Sequence, residues 1–165
     1  MRNPKGPWPS SGRRFRERVH RALEAAPPVV SPWPPAGWPP FPREEGEESR
    51  WDAIREAIPA SRLYRDLCRS VPAGTELPLL SFRGGWSREE RADLVVRFPA
   101  GTTSDGDREG PECWVIDYKT GRREAAEEET YREQVRGYAE ILSAAWKVTV
   151  RGFVWYIETG ESFEV

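Results

Sequence analysis

The sequence predicts an α/β domain with the order helix, three strands, helix, strand. Apolar residues in the segment 125–146 recur at helical spacing, which predicts a long amphipathic helix with one buried stripe: Tyr131, Val135, Tyr138, Leu142 and Ala145. The segments 76–83, 91–98 and 113–119 contain the β-branched, aromatic and other apolar residues that are typical of strands. A chain of 165 residues has the length of one domain with one core.

The first element is predicted to be a helix from Phe15 to Ala26, because the two prolines that follow it cannot continue a helix. The next segment, 27–46, is rich in proline and contains Trp33, Trp38 and Phe41. Its composition favours an extended chain, and its aromatic residues indicate that it packs against the domain. The alternative is that this segment is a plain tether that does not pack against the domain.

Two short helices are expected at residues 49–58 and 61–69, before the first strand. The stretch 100–111, between the second and third strands, is rich in glycine, threonine, serine and aspartate, so we expect a flexible connection there. An apolar and aromatic strand is predicted at 148–158, with a short partner strand at 162–165.

Composition excludes several classes of protein. The two cysteines, Cys68 and Cys113, lie far apart and form no CxxC pair, so neither a disulfide framework nor a zinc or iron–sulfur site is expected. No run of apolar residues is long enough to span a membrane, and the first ten residues lack the apolar core of a signal sequence. We therefore expect a cytoplasmic protein without a membrane partner.

Charge is unevenly distributed along the chain, although its net value is only −2. Residues 1–25 contain seven basic residues against Glu17 and Glu24. A basic first helix of this kind is able to lie along a phosphate backbone. The alternative is a solvated helix face with no binding role.

The residues Asp117-Tyr118-Lys119 end the third predicted strand and are the first candidates for chemistry. Side chains alternate along a strand, so Asp117 and Lys119 point to one face while Tyr118 points to the other. A carboxylate is able to hold a divalent cation, and a lysine ammonium group stabilises negative charge on a phosphate. A salt bridge at the end of a strand is the alternative interpretation.

Residues on neighbouring elements favour the chemical interpretation. Asp93 lies within an apolar strand, and an antiparallel connection to the next strand sets it beside Asp117, which gives the two carboxylates that a magnesium site needs. Gln134 and Tyr138 lie four residues apart on one side of the long helix. His20, the only histidine, lies on the first helix, where a surface or core role is the alternative.

Three runs of sequence resemble the nuclease domain of the PD-(D/E)XK superfamily, in particular the RecB-like branch at the C-terminus of bacterial helicase–nucleases. They are Ala-Asp-Leu-Val-Val around Asp93, Val-Ile-Asp-Tyr-Lys-Thr-Gly around Asp117, and Tyr-Arg-Glu-Gln-Val-Arg-Gly-Tyr ending at Tyr138. The helix around His20 and the strand-borne Glu76 are also similar to features of that branch. The resemblance extends from about Arg13 to the C-terminus.

The resemblance implies a restriction-endonuclease-like core, with a central mixed β-sheet flanked by helices in the order α-β-β-β-α-β. Residues 1–12 would then be an N-terminal tail, and residues 13–165 a nuclease domain with a Pro/Trp-rich insert at 27–46. The implied activity is the Mg²⁺- or Mn²⁺-dependent hydrolysis of phosphodiester bonds in DNA, in repair or recombination.

The resemblance also implies a role for each matching residue. Asp93, Asp117, His20 and the backbone carbonyl group of Tyr118 would bind the cation. Lys119 would be the catalytic lysine, and Gln134 and Tyr138 would position the DNA or that lysine. Glu76 and Tyr131 would be accessory residues.

This sequence departs from the resembled proteins in two respects. The four cysteines of the iron–sulfur members are absent, and no GxxxxGK[ST] loop is present, so we expect no nucleotide cofactor and no helicase motor in this chain. A separate helicase subunit is the implied partner.

Two other functions are compatible with the sequence. In the first, the chain is a catalytically silent subunit with a nuclease fold that binds DNA or supports a repair complex. In the second, it is an unrelated interaction domain whose segment from Pro32 to Pro35 is a peptide ligand. Intact Asp93, Asp117 and Lys119 favour an active nuclease over the silent subunit, since buried charges are costly without a use.

Overall fold

A five-stranded mixed sheet with helices against it forms the centre of the computed structural model, which describes residues 10–83, 85–100 and 111–165. The predicted α/β class is confirmed, and its elements have the following bounds in chain order: α1 Ser10–Ala25, α2 Glu48–Ala60, α3 Arg62–Leu67, β1 Val71–Arg83, β2 Trp86–Phe98, β3 Glu112–Lys119, α4 Ala125–Trp146, β4 Thr149–Tyr156 and β5 Glu161–Glu164. Most of the predicted N-terminal tail and of the predicted connection at 100–111 lies outside the described residues.

The five strands are adjacent in the order of the sequence, from β1 to β5. β1 with β2, β2 with β3, and β4 with β5 are antiparallel, whereas β3 and β4 are parallel and are connected through α4. A parallel pair needs such a crossover, because the chain must return to the same end of the sheet. β3 is therefore the central strand, and its C-terminal end lies between β2 and β4.

The hairpin of β1 and β2 is longer than the sequence predicts. β1 begins at Val71 and β2 at Trp86, each five residues before the predicted start. Seven of the ten added residues are polar, proline or glycine, so the two segments lack the apolar pattern of a strand. Backbone pairing between the two strands, from Val71↔Arg97 to Arg83↔Trp86, stabilises the extension instead.

Each face of the sheet has its own apolar cluster. Helices α1 to α3 cover the face that includes Ile116 and Tyr118, and α4 covers the face that includes Val115. The predicted stripe of α4 is buried at Val135, Tyr138 and Leu142 and partly buried at Tyr131. Its last member, Ala145, is exposed, because the buried face of α4 ends at Leu142.

The Pro/Trp-rich segment packs against the core rather than acting as a tether. Trp33 and Trp38 are buried, and their indole N–H groups donate to the carbonyl oxygens of Ala26 and Ala22 at 3.0 and 3.1 Å. The Trp38 ring lies 5.3 Å from that of Trp51 on α2. These contacts hold the C-terminal half of α1, and therefore its histidine, in a defined place. They also bury Trp33, which lies within the segment from Pro32 to Pro35 that was considered as a peptide ligand.

Candidate functional site

His20, Glu76 and Asp93 form a cluster of possible metal ligands, and their donor atoms all lie within 4.8 Å of one another. The Nδ1 atom of His20 is 3.1 Å from Asp93 Oδ1 and 3.7 Å from Glu76 Oε1. The other carboxylate oxygen of Asp93 accepts a hydrogen bond from the backbone N–H of Tyr118 at 2.6 Å. Asp93 is therefore held between α1 and β3 by both of its oxygens.

Strand register brings three carboxylates to the same level of the sheet. Between β1 and β2 the pairs on either side of Glu76 are Thr75↔Leu94 and Leu77↔Ala92, so Glu76 lies across from Asp93. The last pair between β2 and β3 is Leu94↔Ile116. Asp117 follows this pair and therefore lies next to Asp93, on the side away from Glu76. The predicted proximity of Asp93 and Asp117 follows from this antiparallel pairing.

Glu76 has a backbone conformation that is uncommon for its residue type. Its φ angle of 47° lies in the left-handed region, which costs a residue with a Cβ atom about 1 kcal/mol or more. Such strain persists only where surrounding contacts impose it, and it is concentrated at functional sites. Here it accompanies a carboxylate directed at His20, so the residue predicted to be accessory belongs to the cluster itself.

The acids of the cluster determine the charge of His20. Burial by itself lowers the pKa of this imidazole, but hydrogen bonds to Asp93 and Glu76 and the charges of Asp93 and Asp117 outweigh burial and raise the pKa to about 10. Without a cation, His20 is therefore protonated at neutral pH and partly neutralises the surrounding carboxylates.

Asp117 and Lys119 form a buried ion pair next to this cluster. Lys119 Nζ lies 2.5 Å from Asp117 Oδ2, and Asp117 is only 4% exposed. Burial and the charge of Asp93 raise the pKa of Asp117 above its usual range, while the charges of Lys119 and His20 act in the opposite direction. A carboxylate with a raised pKa beside a second acid is a common sign of a functional site.

Lys119 is also held by helix α4. Its ammonium group donates to Gln134 Oε1 at 3.4 Å and lies 4.1 Å from the centre of the Tyr131 ring. The amide N–H group of Gln134 donates in turn to the Tyr138 hydroxyl. Asp117, Lys119, Gln134 and Tyr138 thus form one connected chain of polar contacts, as expected for residues that position the lysine.

The structure brings together all the residues predicted for the site, with one distinction. Tyr118 meets the cluster through its backbone amide, which donates to Asp93, and its side chain lies on the face opposite to Asp117 and Lys119, where its ring is 6.2 Å from that of His20. The suggested role of its carbonyl group stays a prediction. Asp117 lies beside the three-residue cluster and is paired with Lys119.

A second set of contacts supports the turn after β3, and sequence reasoning did not find it. Arg50 on α2 binds both carboxylate oxygens of Glu158, at 2.6 and 2.9 Å. Glu158 also accepts from the backbone N–H of Gly121 at 2.5 Å, and Gly121 has a φ of 86°. Arg50 and Glu158 are 108 residues apart, so no local pattern signals that they meet.

The donor set of the cluster fits a divalent metal ion. It offers one imidazole nitrogen and carboxylate oxygens, which are ligands for Mg²⁺, Mn²⁺ and zinc. The second nitrogen of His20, Nε2, is buried and has no hydrogen-bond partner among the described residues. Nε2 is thus held by no competing contact, whereas Nδ1 is engaged by Asp93 and Glu76.

Comparison with known protein families and with curated proteins finds no match to this chain. None of the helices in the described part of the chain combines the length and apolar character that a membrane crossing needs.

Proposed function

We propose that this protein is a metal-dependent nuclease that hydrolyses phosphodiester bonds in DNA. The observation that carries the proposal is the buried contact of Asp93 with both His20 and the β3 backbone, immediately beside the Asp117–Lys119 ion pair. Metal-ligand chemistry and a lysine are thus adjacent at the end of one strand, where the substrate phosphate would bind.

His20, Glu76, Asp93 and Asp117 would hold the cation, Mg²⁺ or Mn²⁺. Bound there, the ion would neutralise phosphate charge and lower the pKa of a coordinated water molecule. Carboxylate oxygens favour these hard cations, although one imidazole ligand also suits Mn²⁺. Since His20 is protonated in the absence of metal, cation binding must displace that proton.

Lys119 has the position and the charge to act on the phosphate. Its ammonium group stabilises the negative charge that develops on the phosphate oxygens, or orients the attacking water. Gln134 holds that group through its side-chain oxygen, and Tyr138 holds Gln134. Asp117 keeps the lysine close to the cluster through the 2.5 Å ion pair.

The resemblance to the RecB-like branch of the PD-(D/E)XK superfamily supports a finer proposal. The sheet would be a restriction-endonuclease-like core, and the protein would act with a separate helicase in DNA repair or recombination. Support comes from the three matching runs of sequence, from the mixed sheet that carries the first two, and from helix α4, which carries the third.

The test measures cleavage of labelled single-stranded and duplex DNA with Mg²⁺, Mn²⁺ or EDTA. We expect cleavage by the parent protein with metal only, and a loss of about 100-fold or more in Asp117→Asn and Lys119→Met. Lys147→Met is the matched control, because Lys147 is exposed at the end of α4 and lies outside the site.

Cation binding is measured separately, as the rise in melting temperature caused by Mn²⁺. Binding at 100 times the dissociation constant stabilises a protein by about 2.7 kcal/mol, or roughly 5–10 °C for a chain of this size. Glu76→Gln should lose most of this rise. Equal cleavage by the parent and both site variants would refute the assignment. DNA binding without cleavage by any of them would favour the silent subunit.

A further inference from the structure

Strands β1 and β2 extend beyond the rest of the sheet as a two-stranded arm. The ladder between β2 and β3 ends at Leu94↔Ile116, so residues 86–93 of β2 pair only with β1 among the described residues. Pairing between β1 and β2 continues to Arg83↔Trp86. A hairpin by itself is only marginally stable in water, and a further strand on either edge stabilises it.

Two large apolar side chains of the arm are exposed. Leu80 is 58% exposed and Phe82 is 78% exposed. They lie two residues apart on β1 and therefore point to the same face, whereas Leu79 points to the other face and belongs to the buried cluster under α4. Together Leu80 and Phe82 expose roughly 250 Å² of surface. Exposed apolar residues on an edge strand indicate a surface at which another strand binds.

The two edges of the arm differ in sequence. On β2, residues 88–91 are Arg-Glu-Glu-Arg, and charged residues of this kind prevent an edge from pairing with another chain. On β1, the segment 77–82 contains no charged residue. In the described part of the chain β1 is an edge strand of the sheet, with β2 as its neighbour on one side. The unprotected edge of the arm is therefore that of β1.

Hydrogen bonding within the hairpin determines which backbone groups of this edge are available. Two residues connect Arg83 and Trp86, so this last pair exchanges both of its backbone hydrogen bonds, and such pairs alternate with pairs that exchange none. Leu80 and Phe82 occupy the alternate positions and direct their N–H and C=O groups away from β2. Pro78 occupies a position of the same kind and has no N–H group to offer. The available edge is therefore short and extends from Pro78 to the turn of the hairpin.

We propose that this edge of β1 pairs with the same edge of a second copy of the chain, antiparallel and about a two-fold axis at Ser81. Leu80 of each copy would lie opposite Phe82 of the other, and the two pairs would exchange four backbone hydrogen bonds. Moving the axis to Leu80 would place the ring of Pro78 against the C=O group of Phe82, which would then have no donor. Moving it to Phe82 would bring the turn of the hairpin into the ladder.

The chemistry of the edge favours a second copy as its partner. Because the segment 77–82 is uncharged, two copies meet there without repulsion, and their four apolar side chains pack on one face of the joined sheet. The contact would bury about 500 Å² of these side chains and about 1,000 Å² in all, near the lower limit for a specific interface. We therefore expect a weak dimer, with a dissociation constant on the order of 10 µM. Each copy has one such edge, so the pairing closes at two copies.

Cross-linking through Ser81→Cys tests the position of the axis. The two Ser81 residues would form a pair without hydrogen bonds, with Cα atoms about 4.5 Å apart, and a disulfide fits this distance. Ser87→Cys is the matched control, because Ser87 is more exposed but lies on β2, away from the axis. Both variants also carry Cys68→Ser, which removes the partly exposed native thiol. Under mild oxidation, the disulfide dimer of Ser81→Cys should form at least tenfold faster than that of Ser87→Cys.

Sedimentation equilibrium of the full chain in EDTA measures the affinity. The average mass of the parent protein should rise from 18.9 kDa towards twice that value as the concentration increases from about 1 to 100 µM. In the combined variant Leu80→Thr and Phe82→Thr, the dissociation constant should rise at least tenfold. Threonine has a high β-strand propensity, so the arm is retained, and circular dichroism verifies the fold. The matched control is Val30→Thr with Val71→Thr, which removes two other exposed apolar side chains and should keep the parent dissociation constant.

A parent protein that stays monomeric at about 100 µM would overturn the inference and would leave the edge to a strand of another protein. Equal dissociation constants for the parent and the variant of Leu80 and Phe82 would also overturn it, as would equal cross-linking of Ser81→Cys and Ser87→Cys. Masses well above that of two copies would contradict a pairing that closes. These measurements involve neither metal nor DNA, so their outcome is independent of the proposed nuclease function.

Discussion

Replacing Asp93 with asparagine tests whether the cluster holds a protonated histidine when no metal is present. Asparagine has almost the same shape as aspartate, and its side-chain oxygen is still able to accept from the Tyr118 amide at the position of the 2.6 Å bond. The substitution removes the negative charge that lies 3.1 Å from His20. We therefore expect the pKa of His20 to fall and the protein to lose stability in a way that depends on pH.

The sign and size of the effect follow from the pKa of His20. A folded-state pKa of about 10, raised above the ordinary 6.5, contributes stability that is fully present below pH 6.5 and is lost as the pH rises through 10. Between pH 6.5 and pH 9 the parent protein should lose about 3 kcal/mol of this contribution. Since Glu76 and Asp117 also raise the pKa, we expect Asp93→Asn to remove roughly half of that difference.

The assay is urea unfolding of the parent and of Asp93→Asn in EDTA at pH 6.5 and pH 9. The difference in unfolding free energy should be larger at pH 6.5, by about 1–2 kcal/mol. Asp52→Asn is the control, because Asp52 is 59% exposed and its ion-pair partner is Arg43 and not a histidine. A destabilisation that is equal at the two pH values, or larger at pH 9, would refute the protonated histidine.

Two further predictions concern α4. Tyr138→Phe removes the hydroxyl to which Gln134 donates, so the cleavage rate measured with Mn²⁺ should fall about five- to tenfold. The rise in melting temperature caused by Mn²⁺ should be unchanged. Loss of that rise would contradict a role of Tyr138 that is limited to positioning. Gly152→Ala would place a Cβ atom 2.6 Å from Val135 Cγ1 and should destabilise the protein by about 1–3 kcal/mol in urea unfolding. Adding Val135→Ala should recover part of that loss, and strictly additive effects of the two substitutions would show that the atoms do not meet.

Local pattern was sufficient for the elements with strong periodicity. The helix predicted at 125–146 has these bounds in the structure, because its apolar residues repeat over several turns and a residue in the left-handed conformation, Lys147, follows it. The strand carrying Asp117 was predicted to within one residue for the related reason that its apolar run is continuous. The start of β2 was missed, because only Trp86 among its first five residues is apolar and backbone pairing with β1 forms this part of the strand.

Local sequence was enough to identify the residues that are able to do chemistry and to predict that Asp117 and Lys119 share a face of one strand, since alternation within a strand is a local property. The proximity of Glu76 to His20 and Asp93, in contrast, is visible only in the folded protein. Their meeting depends on the left-handed backbone at Glu76 and on the tryptophans that hold α1 in place. Contacts between residues 56 and 73 positions apart result from the packing of whole elements, and no spacing along the chain encodes them.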